Sequence, residues 1–364
     1  MRIILTGGGS GGHVYPLIAV ARKIKEIKPE TEIFYVGPVY NFEKAIFDNN
    51  SIRPFFILSG KMRRYFSPFF IVDIFKLIVG FFQSIFLMLY LMPDLVFSKG
   101  GYGSVPVVFV SWLYRISIYL HESDTIPGLA NRFCSKFAVK VFISFESSKG
   151  YFKNKQIIFS GNPIRHSITG GNIKNAILEF KLNSGRKKIL ILGGSQGSQV
   201  IYDLVLNSLS LLVNKYEIIH QCGKKSYNDI DLFLKAARNK DFSNYYHPVS
   251  YLDETQIADL YKIADLIVSR AGAGSIFEIA SSFKPSILIP LASSANNHQE
   301  RNAYEYSNAG AAIVLEEENL TPNLFLNQID KILETNLKDE ISLKAKDFYR
   351  DDASEIIAKE ITGV

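Results

Sequence analysis

The sequence predicts an α/β protein built from two doubly wound domains, each a parallel sheet flanked by helices. Three observations carry that expectation. Strand-like apolar runs alternate with helix-length periodic segments nearly throughout, the pattern of repeated βαβ units. Glycine-rich loops follow several of these runs, at the strand ends where open sheets of this kind hold ligands. The 364 residues, 47% of them hydrophobic, are enough to fill two cores.

In chain order, the apolar runs predict strands near residues 2–6, 32–36, 94–97, 117–120 and 139–143. A second series begins at Lys188-Ile189-Leu190-Ile191-Leu192 and continues near 216–220, 264–269 and 286–290, each run followed by a helical pattern. Between the series, Gly161-Asn162-Pro163 is a turn signal ahead of the polar stretch Thr169-Gly170-Gly171-Asn172. We therefore place a first domain over residues 1–163 and a second over 164–345, with a terminal segment over 346–364.

A formal net charge of +6 suits an anionic partner, whether a nucleotide sugar, a phospholipid surface or a nucleic acid. Only Cys134 and Cys222 occur, far apart and without CxxC spacing, which predicts neither a disulfide framework nor a zinc site and fits a reducing cytoplasm. Met1 and Arg2 lead straight into the buried-strand pattern of Ile3, Ile4 and Leu5 in place of a secretory signal, so the chain is expected to stay inside the cell. The stretch that begins at Phe69 and ends at Met92 is rich in Phe, Ile, Leu and Met and long enough to span a bilayer. Asp73, Lys76 and Gln83 within it, and Arg63 and Arg64 upstream, favour a helix lying in the membrane interface with basic residues at its rim. A buried crossover helix and a true span are the alternatives.

Gly7-Gly8-Gly9-Ser10-Gly11-Gly12-His13 follows the first strand and opens a helix, so backbone N–H groups can approach an anion at a positive helix end. Gly7, Gly9 and Gly12 satisfy GxGxxG in form, but the second strand ends Phe34-Tyr35-Val36-Gly37 without the acid that a dinucleotide ribose needs. A P-loop fails because no GK[ST] follows. Two more loops, Lys99-Gly100-Gly101-Tyr102-Gly103-Ser104 and Gly193-Gly194-Ser195-Gln196-Gly197, stand at equivalent strand ends. Each alone reads equally well as a tight turn; three together favour phosphate binding. The run from Ser269 to Glu278 passes from a strand into a helix that presents Ser275 and then Glu278. Glu278 suits the two hydroxyls of a ribose, and the same pair also has the spacing of a capping box. Residues 296–302, Asn296-Asn297-His298-Gln299-Glu300-Arg301-Asn302, carry amides and an imidazole fit for sugar hydroxyls or for a polar helix start.

Taken in order and at these spacings, the first loop with His13, Gly100-Gly101-Tyr102, His121-Glu122, residues 127–132, Gly161-Asn162-Pro163-Ile164-Arg165, residues 193–197 and the run from Arg270 to Glu278 resemble one family over nearly the whole chain. It is the MurG family, which transfers N-acetylglucosamine from UDP-N-acetylglucosamine to an undecaprenyl-linked muramyl-pentapeptide in peptidoglycan synthesis. The resemblance implies a GT-B fold of two Rossmann-like domains facing a cleft. The acceptor is held mainly by the first domain and the donor by the second, and the final helix packs back on the first. It also implies a peripheral enzyme at the cytoplasmic face of the cell membrane, docked on an anionic surface through residues 69–92, with no nucleic-acid partner.

Carried over residue by residue, Arg165 and Ser195 would meet the UDP diphosphate, and Leu252, Ala273 and Gly274 would lie along the nucleotide. Ser275 and Glu278 would serve phosphate and ribose, and Gln299 and Asn302 would bind sugar hydroxyls. Ser10, Gly11 and Gly12 would line the region of the transferred sugar. Gly100, Gly101, Tyr102 and Ser104 would hold the acceptor diphosphate. Where the family usually has His-Glu-Gln-Asn this chain has His121-Glu122-Ser123-Asp124, so a sugar-contacting amide becomes the carboxylate of Asp124. Ser10 stands in place of a frequent threonine.

The chemistry asks for stabilisation of a departing diphosphate and for a base on the acceptor hydroxyl. His13 is the first candidate, with ordering of its loop as the competing role; Glu122 is the second. Neither metal nor other cofactor is expected, because Asp229-Ile230-Asp231, a DxD in form, falls in a polar helical stretch away from any strand end. A different membrane-associated GT-B enzyme, such as a diacylglycerol glucosyltransferase, and a nonenzymatic nucleotide-binding module are the rivals.

Overall fold

The computed structural model describes residues 1–8, 11–38, 44–60, 70–183, 185–193, 198–237 and 240–364. The chain forms two units: Met1–Arg165 together with Arg350–Val364, and His166–Tyr349. The division falls after Arg165, not after Pro163, so Arg165 belongs with the first unit, and residues 346–349 belong with the second.

In the first unit the strands are β1 (Arg2–Thr6), β2 (Glu32–Gly37), β3 (Ile52–Phe56), β4 (Leu95–Ser98), β5 (Ser117–Glu122), β6 (Lys140–Ile143) and β7 (Gln156–Phe159). They form one sheet in the order β3-β2-β1-β4-β5-β6-β7, with every pair parallel. The crossovers carry helices α1 (Gly11–Ile27), α2 (Lys44–Asn49), α3 (Phe70–Leu91), α4 (Val105–Leu113) and α5 (Leu129–Cys134). Strand alternation splits the core in two. Ile3 and Leu5 of β1 face a cluster with Leu17, Val20 and Ile24 of α1, whereas Ile4 joins Val107, Val108 and Met88 on the other face.

The second unit repeats the plan with β8 (Lys188–Leu192), β9 (Glu217–Gln221), β10 (Tyr246–Val249), β11 (Leu266–Ser269), β12 (Ser286–Leu288) and β13 (Ile313–Val314), in the order β10-β9-β8-β11-β12-β13. Its helices are α6 (Ile173–Phe180), α7 (Gln199–Lys215), α8 (Lys224–Ala237), α9 (Lys240–Tyr245), α10 (Glu254–Ile263), α11 (Ala273–Ser282), α12 (His298–Asn308), α13 (Pro322–Leu333) and α14 (Leu337–Phe348). The last helix, α15 (Ala353–Thr362), lies in the first unit. Its Ile357, Ala358 and Ile361 join the α1 cluster, and Lys140 pairs with Glu360 at 2.5 Å.

The sequence pattern misses β3, β7, β10 and β13, which are the outer strands of the two sheets. An outer strand is covered less, so its side chains need not be uniformly apolar. All residues of β3 after Ile52 keep some exposure, and β7 has no buried residue.

Helix α3 is the one described helix long and apolar enough to cross a membrane. Both its ends return to strands of the same sheet, however, which ties it to the sheet as a crossover. Its faces are inverted relative to a core helix. Asp73, Gly80, Ser84 and Met88 point inward, while Ile71, Phe75, Ile78, Phe82, Phe86 and Leu89 form an exposed stripe at helical spacing, Ile71 being 76% and Phe86 70% exposed. The small inward residues let the helix lie close on residues 58–60. A Cβ on Gly80 would run into the Leu58 carbonyl, and Gln83 accepts a hydrogen bond from the Leu58 N–H at 2.8 Å. Aromatic contacts continue from Phe81 through Phe109 and Trp112 to Phe137 and Phe133.

Candidate active site

In each sheet the strand order reverses once, between β1 and β4 in the first unit and between β8 and β11 in the second. Connections leave in opposite directions at such a point, opening a crevice at the strands' carboxyl ends. The glycine loops stand at these two places.

In the first unit, the loops after β1 and β4 touch. A Cβ on Gly8 would lie 2.7 Å from the Gly101 Cα, and one on Gly101 would lie 3.3 Å from His13 Nε2. Gly100 and Gly101 have φ of 86° and 84°, a backbone that residues with a Cβ rarely adopt. A side chain on Gly100 would also overlap the amide of Asn131. Helix α1 starts at Gly11, so the N–H groups of Gly11, Gly12 and His13 have no partner within the helix and point toward the strand ends. Gly12 is exposed and His13 partly so. Protein around the imidazole, then the charge of Lys99, hold the His13 pKa down to about 4, with Asp124 pulling the other way. Ser10 lies outside the described residues.

The end of β5 forms the floor of this site. Glu122 is buried and accepts hydrogen bonds from Asn131 Nδ2 at 2.8 Å and from the Asp124 N–H at 2.9 Å. Burial and the neighbouring Asp124 push its pKa up to about 7, against an opposing pull from Lys99. Lys99 was not foreseen as a site residue, yet it is buried here and bonded to His121, Ser123 and Asn162. Its only trace in the sequence is a lysine closing an apolar strand, a position where charge is seldom buried without partners.

Two expectations change. Ser104 is fully buried, and its hydroxyl donates to the Gly101 carbonyl at 2.8 Å, so it braces the glycine loop instead of facing a diphosphate. Arg165 stacks over the Tyr15 ring of α1, 4.9 Å from the guanidinium carbon to the ring centre, within the first unit. Tyr102 and Asp124 are partly exposed at the same strand ends.

In the second unit, Ser195 lies outside the described residues, but the flanks of its loop are clear. Helix α7 begins just after Ser198, whose side chain caps it by accepting from the Ile201 N–H. The Arg270 guanidinium then ties three strand-end segments together. It donates to Ser198 Oγ at 2.6 Å and to the Ile289 carbonyl at 3.1 Å, and it pairs with Glu317 at 2.6 Å. Glu317 in turn accepts from the Ala292 N–H at 3.0 Å. This brace was not foreseen, because its members are far apart in the chain.

Helix α11 starts at Ala273 with Gly272 as an N-cap that makes no side-chain cap bond. Ser275 therefore sits at the third helical position and forms no capping box with Glu278. The first-turn N–H groups of Ala273, Gly274 and Ser275 remain available to an anion. Nothing lies within 4 Å of a Cβ built on Gly272 or Gly274, so the approach to this turn is open. Ser275 and Glu278 are partly exposed on the same helix. Gln299 accepts from the Leu291 N–H at 3.1 Å through its side-chain oxygen. Asn302 is fully buried and donates to the Ala271 carbonyl at 3.4 Å, so it supports the turn before α11 and does not offer its amide at the surface. Leu252 is buried just beyond β10. Asp229 and Asp231 fall within α8, not on a strand-end loop.

Comparison with known proteins bears on both units. Residues 3–143 match the glycosyltransferase family 28 N-terminal domain, and residues 188–357 match the glycosyltransferase family 28 C-terminal domain. A curated relative from Clostridium kluyveri is 40% identical over 334 residues, covering 91% of each chain. One from Borrelia hermsii is 37% identical over 361 residues, covering 98% of this chain and 95% of its own. Both are named UDP-N-acetylglucosamine--N-acetylmuramyl-(pentapeptide) pyrophosphoryl-undecaprenol N-acetylglucosamine transferase. Among solved structures, Acinetobacter baumannii MurG matches with a TM-score of 0.76 at 23% identity, over 100% of this chain and 99% of that one. The Staphylococcus aureus MnaA–UDP co-structure matches with a TM-score of 0.73 at 15% identity, over 100% and 96%. At these identities the two structures speak for the GT-B fold alone.

Proposed function

The chain belongs to the family of UDP-N-acetylglucosamine--N-acetylmuramyl-(pentapeptide) pyrophosphoryl-undecaprenol N-acetylglucosamine transferases, and from that premise we propose that it moves N-acetylglucosamine from UDP-N-acetylglucosamine to the muramyl 4-hydroxyl of the lipid-linked pentapeptide, inverting the anomeric centre. The observation that carries the reading is the repeated crevice. Each sheet reverses its strand order where a helix begins and turns its first-turn N–H groups toward the strand ends, the feature that a diphosphate needs. The first unit takes the acceptor and the second takes the donor.

In the transfer, UDP leaves with growing negative charge, and the first turn of α11 and the loop at 193–197 neutralise it. The acceptor oxygen attacks from the opposite face of the sugar as its proton passes to a base. His13 is that base. Its imidazole is neutral in the resting protein and therefore able to take a proton, and the acceptor diphosphate it meets raises its affinity for one. Gly100, Gly101 and Tyr102 hold the acceptor diphosphate, and Glu122 and Asp124 hold their carboxylates next to the transferred proton. Labelled UDP-N-acetylglucosamine incubated with a lipid-linked muramyl acceptor tests the reading. Acceptor-dependent β-linked product is expected, and UDP release without such product sinks it.

Glu278 is the ribose ligand in this reading, with Ser275 on phosphate and Gln299 on the sugar. Hydrogen bonds to a charged group contribute about 1.5–3 kcal/mol, so Glu278→Ala should weaken UDP binding by roughly 10–150-fold. Calorimetry with UDP measures it, and an equal loss of acceptor affinity would reassign the residue.

The acceptor's lipid tail calls for a membrane surface, and the exposed stripe of α3 is the docking face at the cytoplasmic side. Each buried Phe contributes about 1.5–3 kcal/mol. Replacing Phe82 and Phe86 together by Ser should therefore lower partitioning onto anionic vesicles at least about tenfold while leaving the melting temperature unchanged. Phe81 is the wrong probe, since it packs on Phe109. Sedimentation with vesicles decides, and undiminished binding of the double variant removes α3 from the interface.

A further inference from the structure

Lys99 ends at a point where charge is costly. It is 2% exposed at the residue before Gly100, and its ammonium meets three acceptors: His121 Nδ1 at 2.6 Å, Asn162 Oδ1 at 3.0 Å and Ser123 Oγ. An ammonium has three N–H bonds, so the set matches it one to one. The second nitrogen of His121 lies 3.0 Å from the Gly161 carbonyl, which only accepts. His121 must then carry its proton on Nε2 and present a lone pair on Nδ1 to Lys99. The residues at the end of β5 thus alternate in duty. His121 and Ser123 receive Lys99, while Glu122 bonds Asn131, whose amide lies against Gly100 of the acceptor loop, and Asp124 acts on His13.

We propose that Lys99 is a positioning residue for the transfer reaction: its ammonium pins the end of β5 through His121, Ser123 and Asn162 and so holds Glu122 on Asn131, against the Gly100 turn of the acceptor loop. The proposal rests on the transferase reading above. The titratable groups facing Lys99 are His121 and Glu122 on β5, Asp124 just past it, and His13 on α1. Burial brings Lys99 down to about 7 while Glu122 and Asp124 pull it up, and Lys99 in turn holds down both Glu122 and His13. The sign follows. With the ammonium gone, whichever of Glu122 or His13 takes the proton binds it more tightly, so the acid side of the rate profile moves to higher pH.

The test compares the wild type, Lys99→Met and Lys99→Arg in acceptor-dependent transfer across pH. An opposite charge at this range shifts a pKa by about one to three units. The acid limb of kcat/KM in Lys99→Met should rise by at least about one unit, and Lys99→Arg should return it toward the wild type. UDP affinity should stay constant in all three. An unmoved acid limb, or a loss equal at every pH, overturns the proposal. Nitrogen-15 histidine spectra of the wild-type protein give a second readout that needs no variant: His121 should appear as the neutral Nε2–H tautomer, and an Nδ1–H or doubly protonated ring overturns the geometry. A wild type without acceptor-dependent transfer would instead bring down the functional reading, while the tautomer still judges Lys99.

Discussion

His13→Ala should lower turnover by roughly 10²–10⁴-fold and leave UDP affinity unchanged, the range expected for loss of a positioned general base. The residue is the third of α1, with its ring against Gly101, so its position is set by the closest approach of two backbone loops. Burial keeps the ring neutral in the resting state, which is the state a base needs. Because UDP is assigned to strand ends of the other unit, removing the imidazole should not touch nucleotide binding. Steady-state rates with saturating donor, set beside calorimetric UDP affinity, separate the outcomes. A variant that loses only UDP affinity would reassign His13 to the donor, and one that keeps its turnover would pass the base role to Glu122.

Gly101→Ala is the second large effect. A Cβ at φ 84° and ψ 162° costs on the order of 1–3 kcal/mol in backbone strain alone, and here it would also stand 2.7 Å from the Gly8 Cα. Backbone on both sides of the switch point has to shift, and a displacement of about 1 Å in a reacting constellation costs on the order of 10²-fold in rate. We expect that loss in kcat, a lowered melting temperature and normal UDP affinity. Gly128→Ala is the control, with φ −63° and nothing within 4 Å of the added carbon, and it should behave as the wild type. Equal behaviour of the two variants would show that the contact between the loops is not needed for transfer.

The inner strands were legible because both faces of a parallel sheet are covered, which forces continuous apolar runs such as residues 189–192, all buried. The same reasoning explains what was missed. Outer strands such as β3, whose apolar residues are interrupted by Arg53 and Pro54 and stay partly exposed after Ile52, carry no such run. Ser275 and Glu278 have the spacing of a capping box, but spacing does not say where a helix begins, and Gly272 takes the cap. Residues 69–92 announced their apolar content, but not which side of α3 bears it. Only packing against residues 58–60 and α4 turns Gly80 and Ser84 inward and Phe86 outward.

What the sequence determined by itself was the pair of doubly wound domains, the glycine positions at their strand ends, and a family pattern that spans the chain. These depend on local periodicity and on φ values that only glycine adopts freely, both written in neighbouring residues. The tertiary structure alone decided that Lys99 is buried among His121, Ser123 and Asn162, that Arg270 joins Ser198 to Glu317, and that Ser104 and Asn302 brace turns. Such partners stand tens of residues apart, and a charge or amide shows its duty only once folding has removed water and left it a single set of atoms to bond.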